Sequence, residues 1–343
     1  MDYNEKYCSE AAPFGASAEG VCMVERTALA DSIQKVLHCP VERERPLACL
    51  STLGVGGCAE YYAEPWELDD FLTLYRLSRQ ENVPLHILGG GSNVVFADGL
   101  IPGIVVSTRK WDAVWWMPAG GRVVADVQSG RCLASLVDIA AKEGWTGLEF
   151  ALGIPGTVGG AVAGNAGAGG RGMGDCLEEV LAVEPDGSLR RWRAGEFSCT
   201  YRRCSLASEG RLLLSCKIAL RPGLRTEIEG NLERFRSLRG IQPHGVRSAG
   251  CSFKNPDGES AGRLLDRCGC KGMVSGDAVV SDSHANFILN RGSATAEDVL
   301  SLVRACRDRV LERTGILLEP EIKFLGMACA LAPEEERGGP RLG

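Results

Sequence analysis

At 343 residues the chain is long enough for two or three domains. A hydrophobic fraction of 45% beside 24% charged residues supports buried cores and excludes a polar, disordered chain. A net charge of -6 argues against nucleic acid as the main partner, because holding a phosphate backbone draws on surplus Lys and Arg; local basic pockets for a small phosphorylated ligand stay open.

Residues 1 to about 45 show no strong periodicity and read as a loosely docked or disordered arm. A first α/β unit, 46–110, follows: a strand over Cys58 to Ala63, then a helix from Pro65 carrying Leu68, Phe71, Leu72 and Tyr75 at i, i+3, i+4, i+7. Pro84 to Leu88 reads as a short strand ending in Gly89 to Asn93, and Gly103 to Ser107 as another. A second unit, 111–222, has a strand over Val123 to Gln128 and a helix with Leu133, Leu136, Val137 and Ala140 on one face, stopped by Gly144. After a glycine-rich segment come strand runs over Glu179 to Val183, Leu189 to Trp192 and Leu212 to Ala219, with Asp186-Gly187 as a hairpin turn. Pro222-Gly223 marks a boundary, followed by an Arg-rich helix from about Thr226 to Arg239. A third unit, 223–326, closes with a helix that Thr295 and Asp298 start as a capping box, with Val299, Val303, Cys306 and Val310 on one face and Gly315 as its stop. The tail 327–343 reads as disordered.

Two features invite a wrong reading. From Phe150 to Gly170 no residue is charged, a length that could span a bilayer, yet the segment is mostly Gly and Ala with Pro155 and Asn165 inside, so insertion gains little. The 15 cysteines include no C-x-x-C pair; the closest, Cys268 with Cys270 and Cys199 with Cys204, fit neither a zinc ribbon nor a haem attachment. An odd count in so long a chain, and an opening MDYNEKYCSE unlike a signal peptide, lead us to expect mostly buried, reduced thiols in the cytoplasm.

Five segments carry candidate chemistry. In LGGGSN, Leu88, Gly89, Gly90, Gly91, Ser92 and Asn93 form a strand-end turn whose amides can approach a ligand, although a purely structural turn is the blander alternative. It is neither G-x-G-x-x-G nor a P-loop. The Gly153 to Gly174 run is too glycine-dense to be an economical regular element, since each Gly costs ~0.5–1 kcal/mol against Ala. With Ile154, Val158 and Val162 it suits a packed loop around a flat, phosphorylated ligand better than a polar linker. Tyr201-Arg202 lies between strand runs, and alone reads as surface. AGCSFKNP offers Cys251, Lys254 and Asn255, and LEPEIKFLG places Glu321 among apolar neighbours; each alone reads as an exposed turn or strand end. With four histidines and no H-E-x-x-H spacing, neither a Ser-His-Asp triad nor a metal cluster can be built, so no metal is expected.

Together, and in this order, STLGVGGCAEYY, LGGGSN, GLEFALGIPGTVGGAVAGNAGAGG, YR, AGCSFKNP, AGRLLDRCGCKG, SDSHANFILN and LEPEIKFLG closely resemble the UDP-N-acetylenolpyruvoylglucosamine reductase family, from about Ser51 to Gly326. The absence of a long insertion around Tyr201-Arg202 is similar to its shorter type. The resemblance implies an α+β fold, with a two-part FAD-binding domain of the vanillyl-alcohol-oxidase/PCMH type and a smaller α+β substrate-binding domain. It implies non-covalent FAD, NADPH as hydride donor sharing one cleft with a UDP-sugar, and a step of peptidoglycan precursor synthesis. FAD contacts would fall on Leu88 to Asn93 and on Gly153, Ile154, Pro155, Gly156, Thr157, Gly159, Gly160 and Ala163. Arg202, Cys251 and Glu321 would be catalytic, and Tyr201, Lys254 and Asn255 would meet the substrate. Arg225, Arg236, Arg239 and Arg247 are further candidates for phosphate contact, against the ordinary expectation of solvated helix arginines. Two departures stand out: Cys251 where the family most often has serine, and Cys204 where it usually has a small hydroxyl residue. Two other readings are a related FAD oxidoreductase acting on a different alcohol or lactone, and a nucleotide-sugar binder without chemistry. AGCSFKNP and LEPEIKFLG weigh against the first, and the presence of both Arg202 and Glu321 against the second.

Overall fold

Three sheets follow one another along the chain in the computed structural model, which describes residues 33–240, 242–243 and 245–327. Residues 1–32 of the expected arm, His244, and the tail from 328 onward lie outside the described residues.

The first sheet runs in the order Val41–Pro46, Cys58–Ala63, Leu100–Ser107, Leu85–Leu88. The outer Val41–Pro46 strand is antiparallel and the other three are parallel. Leu100–Ser107 shows why such strands read as unbroken apolar runs: Ile104 and Val106 enter one hydrophobic cluster while Val105 enters another on the opposite face. The helix Leu68–Gln80 buries Phe71, Leu74 and Tyr75 on the first of these faces. It starts at Leu68 rather than Pro65, because Glu67 is still extended.

The expected arm is shorter than its lack of periodicity suggested. Ile33, Leu37 and Cys39 are buried in the same cluster as Phe71 and Leu74. The buried Asp70 carboxylate accepts the N–H groups of His38 (2.9 Å) and Cys39 (3.0 Å), which fastens this segment to the helix. Three apolar side chains followed by an edge strand are too few to show a period.

The second sheet is antiparallel, in the order Leu189–Arg193, Leu177–Val183, Leu212–Pro222, Arg122–Gln128, Val114–Ala119, with Trp145–Thr146 paired at the end of the long strand. Val114–Ala119 was not foreseen. It is an edge strand joined to its neighbour by Gly120-Gly121, both at positive φ, the backbone a tight hairpin requires. Against this sheet pack the helix Leu133–Lys142 and the helix Arg225–Arg239, whose Phe235 joins the second unit's core. The Arg-rich helix therefore sides by packing with the unit before Pro222-Gly223.

The third sheet holds Ser248–Cys251, Phe287–Asn290, Ala278–Val280 and Val274–Ser275, all antiparallel. The helices Ala261–Arg267 and Ala296–Thr314 contribute Leu264, Leu265, Val299 and Val303 to its core. Thr295 and Asp298 form the expected capping box, and Gly315 ends the helix in the left-handed region. The chain then returns, and Lys323–Leu325 pairs in parallel with Val94–Phe96 of the first unit. Among the described residues no helix is long and apolar enough to cross a membrane.

Asp70→Ala should strand two N–H groups and cost about 1–3 kcal/mol. Urea denaturation of the two proteins reads this directly. An unchanged midpoint would mean that residues 33–41 are not held as described.

Candidate active site

Leu85–Leu88 and Leu100–Ser107 are parallel neighbours, so the turns after both strands emerge at one end of the sheet. This brings Arg109 beneath the Gly89–Asn93 turn. Its guanidinium donates to Gly89 O (3.3 Å), Gly90 O (3.1 Å) and Leu50 O (2.7 Å), and Thr52 N–H donates to Gly91 O (3.0 Å). The sequence motifs did not single out Arg109. Its place two residues beyond a strand next to the glycine turn was the available signal.

The second glycine segment packs directly on this turn. Ser92 Oγ donates to Pro155 O (3.1 Å), and a Cβ at Gly90 would lie 2.4 Å from Gly156 Cα. Gly156 itself has φ +108, and a Cβ there would meet Ser92 Oγ at 2.7 Å. Gly90 therefore needs glycine for contact between two backbones, and Gly156 for its left-handed φ. Thr157 Oγ1 accepts Gly160 N–H (3.4 Å) and starts a short helix, Val158–Ala163. The expectation of one continuous loop from Gly153 to Gly174 is thus corrected. The middle is helical, and Gly167–Ala168 pairs with Arg171–Gly172 as a small ladder. The glycines allow this by close approach: Gly159 N–H bonds Ser129 O (2.8 Å), where a Cβ would sit 2.6 Å from Ser129 Cβ. Ile154 is buried in the second unit's core, and Ala163 packs against it.

Tyr201 and Arg202 form the tip of a two-residue hairpin between Cys199–Thr200 and Arg203–Cys204. Asn165 pins that hairpin to the glycine segment, its amide donating to Thr200 O (2.8 Å) and accepting Gly174 N–H (2.9 Å). Arg202 adopts φ +57, donates to Gly167 O (3.4 Å) and pairs through Nε with Glu321 Oε1 at 2.5 Å.

Glu321 arrives from the far end of the chain. Its N–H bonds Ser252 O (2.9 Å) and its carbonyl accepts the Asn93 side-chain amide (3.0 Å). Burial pushes its carboxyl above the usual range, with Arg202 and then Lys254 opposing. Cys251 lies among the same charges: burial, then the Glu321 carboxylate, pushes its thiol up to about 12, against Arg202 and Arg239. The three residues singled out as catalytic are thus gathered in one place by two separate units. Lys254 pairs with the Glu319 carboxylate, and Asn255 N–H donates to the exposed Tyr201 hydroxyl (3.2 Å). Of the four candidate phosphate arginines, Arg239 reaches the site, donating to Gly153 O (3.1 Å). Arg225 and Arg236 pair with Glu229 and Glu233 on the exposed face of their own helix, and Arg247 donates to Gly292 O (3.3 Å). Among the described residues no cluster of His, Cys, Asp or Glu is placed to hold a metal ion.

Residues 59–193 match the family model of the FAD binding domain, and residues 242–325 that of the UDP-N-acetylenolpyruvoylglucosamine reductase C-terminal domain. The chain is 40% identical to the UDP-N-acetylenolpyruvoylglucosamine reductase of Gloeobacter violaceus, across 82% of this chain and 94% of that protein. The chain belongs to the UDP-N-acetylenolpyruvoylglucosamine reductase family. The Moorella thermoacetica reductase is also 40% identical, over 88% of this chain and 99% of its own length. The crystal structure of the Thermus caldophilus reductase superposes with a TM-score of 0.70 at 35% identity, covering 84% of this chain and 98% of that one. The fold is accordingly the α+β, two-part FAD-binding type with a C-terminal domain characteristic of these reductases.

The two glycine segments fit FAD. Arg109 and Thr52 take up the carbonyls of Gly89, Gly90 and Gly91, so these three residues are left to present N–H donors, the polarity a diphosphate needs. Gly90→Ala would press a Cβ onto the Gly156 backbone, which has no flexible end to move away. We expect FAD affinity to fall about tenfold or more, a change of ~1.4 kcal/mol, read by fluorescence titration of the apoprotein. An unchanged dissociation constant would show that contact between the two loops is not needed to hold the flavin.

Proposed function

We propose that this chain reduces UDP-N-acetyl-3-O-(1-carboxyvinyl)-glucosamine to UDP-N-acetylmuramate, a step of peptidoglycan precursor synthesis, with FAD as cofactor and NADPH as reductant. Supporting this is the meeting of Arg202, Cys251 and Glu321, brought by two units to one place beside two backbone-exposed glycine segments. Bound FAD supplies hydride transfer from NADPH to the terminal carbon of the enol ether.

The chain's own residues manage the charge and the proton. Hydride addition leaves an electron pair on the carbon beside the carboxylate, delocalised as an enolate. Arg202, a permanent cation, stabilises that charge as it develops. Glu321 is held toward its protonated form by burial, and as a protonated acid it donates a hydrogen bond to the enolate oxygen. Cys251 gives its S–H proton to the α-carbon and completes the lactyl ether; solvent then reprotonates the thiolate. A thiol raised to about 12 is fully protonated at neutral pH, so the donor is loaded before each turnover. Tyr201, Lys254 and Asn255 hold the UDP-sugar, with Tyr201 and Asn255 already joined by a hydrogen bond. NADPH and the UDP-sugar use one cleft in turn, which suits a site with a single set of cations. We place the enzyme in the cytoplasm, in keeping with its free thiols, many of them buried, among the described residues.

Cys251→Ala should leave flavin reduction by NADPH intact and slow flavin reoxidation by substrate roughly 10²–10⁴-fold in stopped flow. In the parent protein, reoxidation should stay flat between about pH 7 and 9. A free thiol would instead lose its proton near ~8.5. The sign follows from the raised thiol, whose protonated form persists to higher pH. Normal reoxidation in the alanine variant would remove Cys251 from proton transfer.

A further inference from the structure

The hairpin that presents Arg202 is closed by two cysteines facing each other across its ladder, Cys199 opposite Cys204. Thr200 and Arg203 form the pair next to the two-residue loop, and on the other side Ser205 N–H bonds Ser198 O (3.0 Å). In an antiparallel ladder hydrogen-bonded and non-hydrogen-bonded pairs alternate, so Cys199 and Cys204 occupy a non-hydrogen-bonded pair. There the Cα atoms lie ~4.5 Å apart and the side chains are at their closest, within the ~4.4–6.8 Å span that a disulfide bridges.

We propose that Cys199 and Cys204 are an oxidation site for small peroxides, and that the disulfide they form reversibly slows the enzyme by displacing Arg202. Three observations support this beyond the register. Cys204 is buried, and its sulfur takes a hydrogen bond from the Cys199 thiol and others from the N–H groups of Leu206 and Ala207, which hold it below the usual thiol range. Cys199, the hydrogen donor, is pushed up by the same contact. Cys199 is only half-buried and lines a surface cavity of about 170 Å³ with Asn165, Gly174, Asp175 and Phe197, wide enough for a peroxide. Finally, Cys270 and Cys306 form a second hydrogen-bonded thiol pair, but both members are buried in the third unit's core, whereas the hairpin pair has one half-buried member, Cys199, through which a peroxide can approach.

The chemistry balances with hydrogen peroxide as oxidant. The Cys204 thiolate attacks one peroxide oxygen, the O–O bond breaks and hydroxide leaves, giving a sulfenic acid. Cys199 passes its proton to that hydroxide, forming water, and its thiolate attacks the Cys204 sulfur. The S–S bond forms as a second hydroxide departs and takes a proton from solvent. Two thiols and one peroxide become one disulfide and two waters. Closing the bond draws the Cβ atoms to ~3.8 Å. With a two-residue loop, that movement reaches the tip, where Arg202 already occupies a left-handed backbone conformation and meets Glu321 at 2.5 Å.

The test treats the FAD-loaded protein with hydrogen peroxide and then digests it without reduction. We expect a cross-linked peptide pair joining Cys199 to Cys204, turnover reduced about tenfold or more by misplacement of one catalytic group, and recovery with dithiothreitol. Cys204→Ser should keep the untreated rate and resist peroxide, and Cys199→Ser should do the same should the first variant fold poorly. The proposal is overturned if turnover falls without that cross-link, if the cross-link forms with turnover unchanged, or if the serine variants are as sensitive as the parent. The rate measurements rest on the proposed reductase reaction, whereas the cross-link does not. An untreated protein that fails to reduce the UDP-sugar would therefore count against that reaction and not against the disulfide.

Discussion

Glu321 is the point on which the three units register. Its N–H is held by Ser252 of the third unit, its carbonyl by the Asn93 side chain of the first, and its carboxyl group by Arg202 of the second. A buried carboxyl is costly unless its partners are in place, so the arrangement is demanding rather than forgiving. The short Lys323–Leu325 strand locks beside Val94–Phe96 directly after Glu321, which carries the residue back to the glycine turn. Moving any one of the three units disturbs the other two contacts.

The same constraint sets the chemistry. Burial pushes the carboxyl of Glu321 and the thiol of Cys251 in one direction, toward their protonated forms, and the Arg202 guanidinium opposes both. The proposed reaction needs a site that receives negative charge and delivers a proton, and this arrangement suits it before substrate arrives. Cys251 is the position at which the resemblance led us to expect serine. The raised thiol keeps its proton through neutral pH, which suits it to the donor's part in the proposed reaction.

Much of this was legible in the sequence, and the exceptions have physical reasons. Long elements with clear periods and caps, such as Leu133–Lys142 and Ala296–Thr314, appear where expected. The turn residues Asp186-Gly187 likewise join antiparallel strands. The docked segment from residue 33 to 45 gives no sequence signal because three buried apolar side chains and one buried Asp carry no period. The helix Val158–Ala163 gives no helical signal because it contains two glycines, one of which, Gly159, serves close approach to Ser129 rather than helix propensity. At the site, residue types were readable but proximity was not. Nothing in local spacing says that Arg202 touches Glu321, or that Arg109 braces the Gly89–Asn93 turn. The contact between Cys199 and Cys204, for which their spacing alone offered no account, follows only once the hairpin register is known.

The central claim is that Arg202 and Glu321 act as one unit on the developing enolate. A double-mutant cycle with Arg202→Met and Glu321→Gln, read as the rate at which substrate reoxidises the reduced flavin, tests it most directly. Each single change should cost on the order of 10²-fold or more, and the double change no more than about tenfold beyond the worse single, because groups acting together are lost together. Losses that multiply in the double variant would show two independent roles and contradict the account.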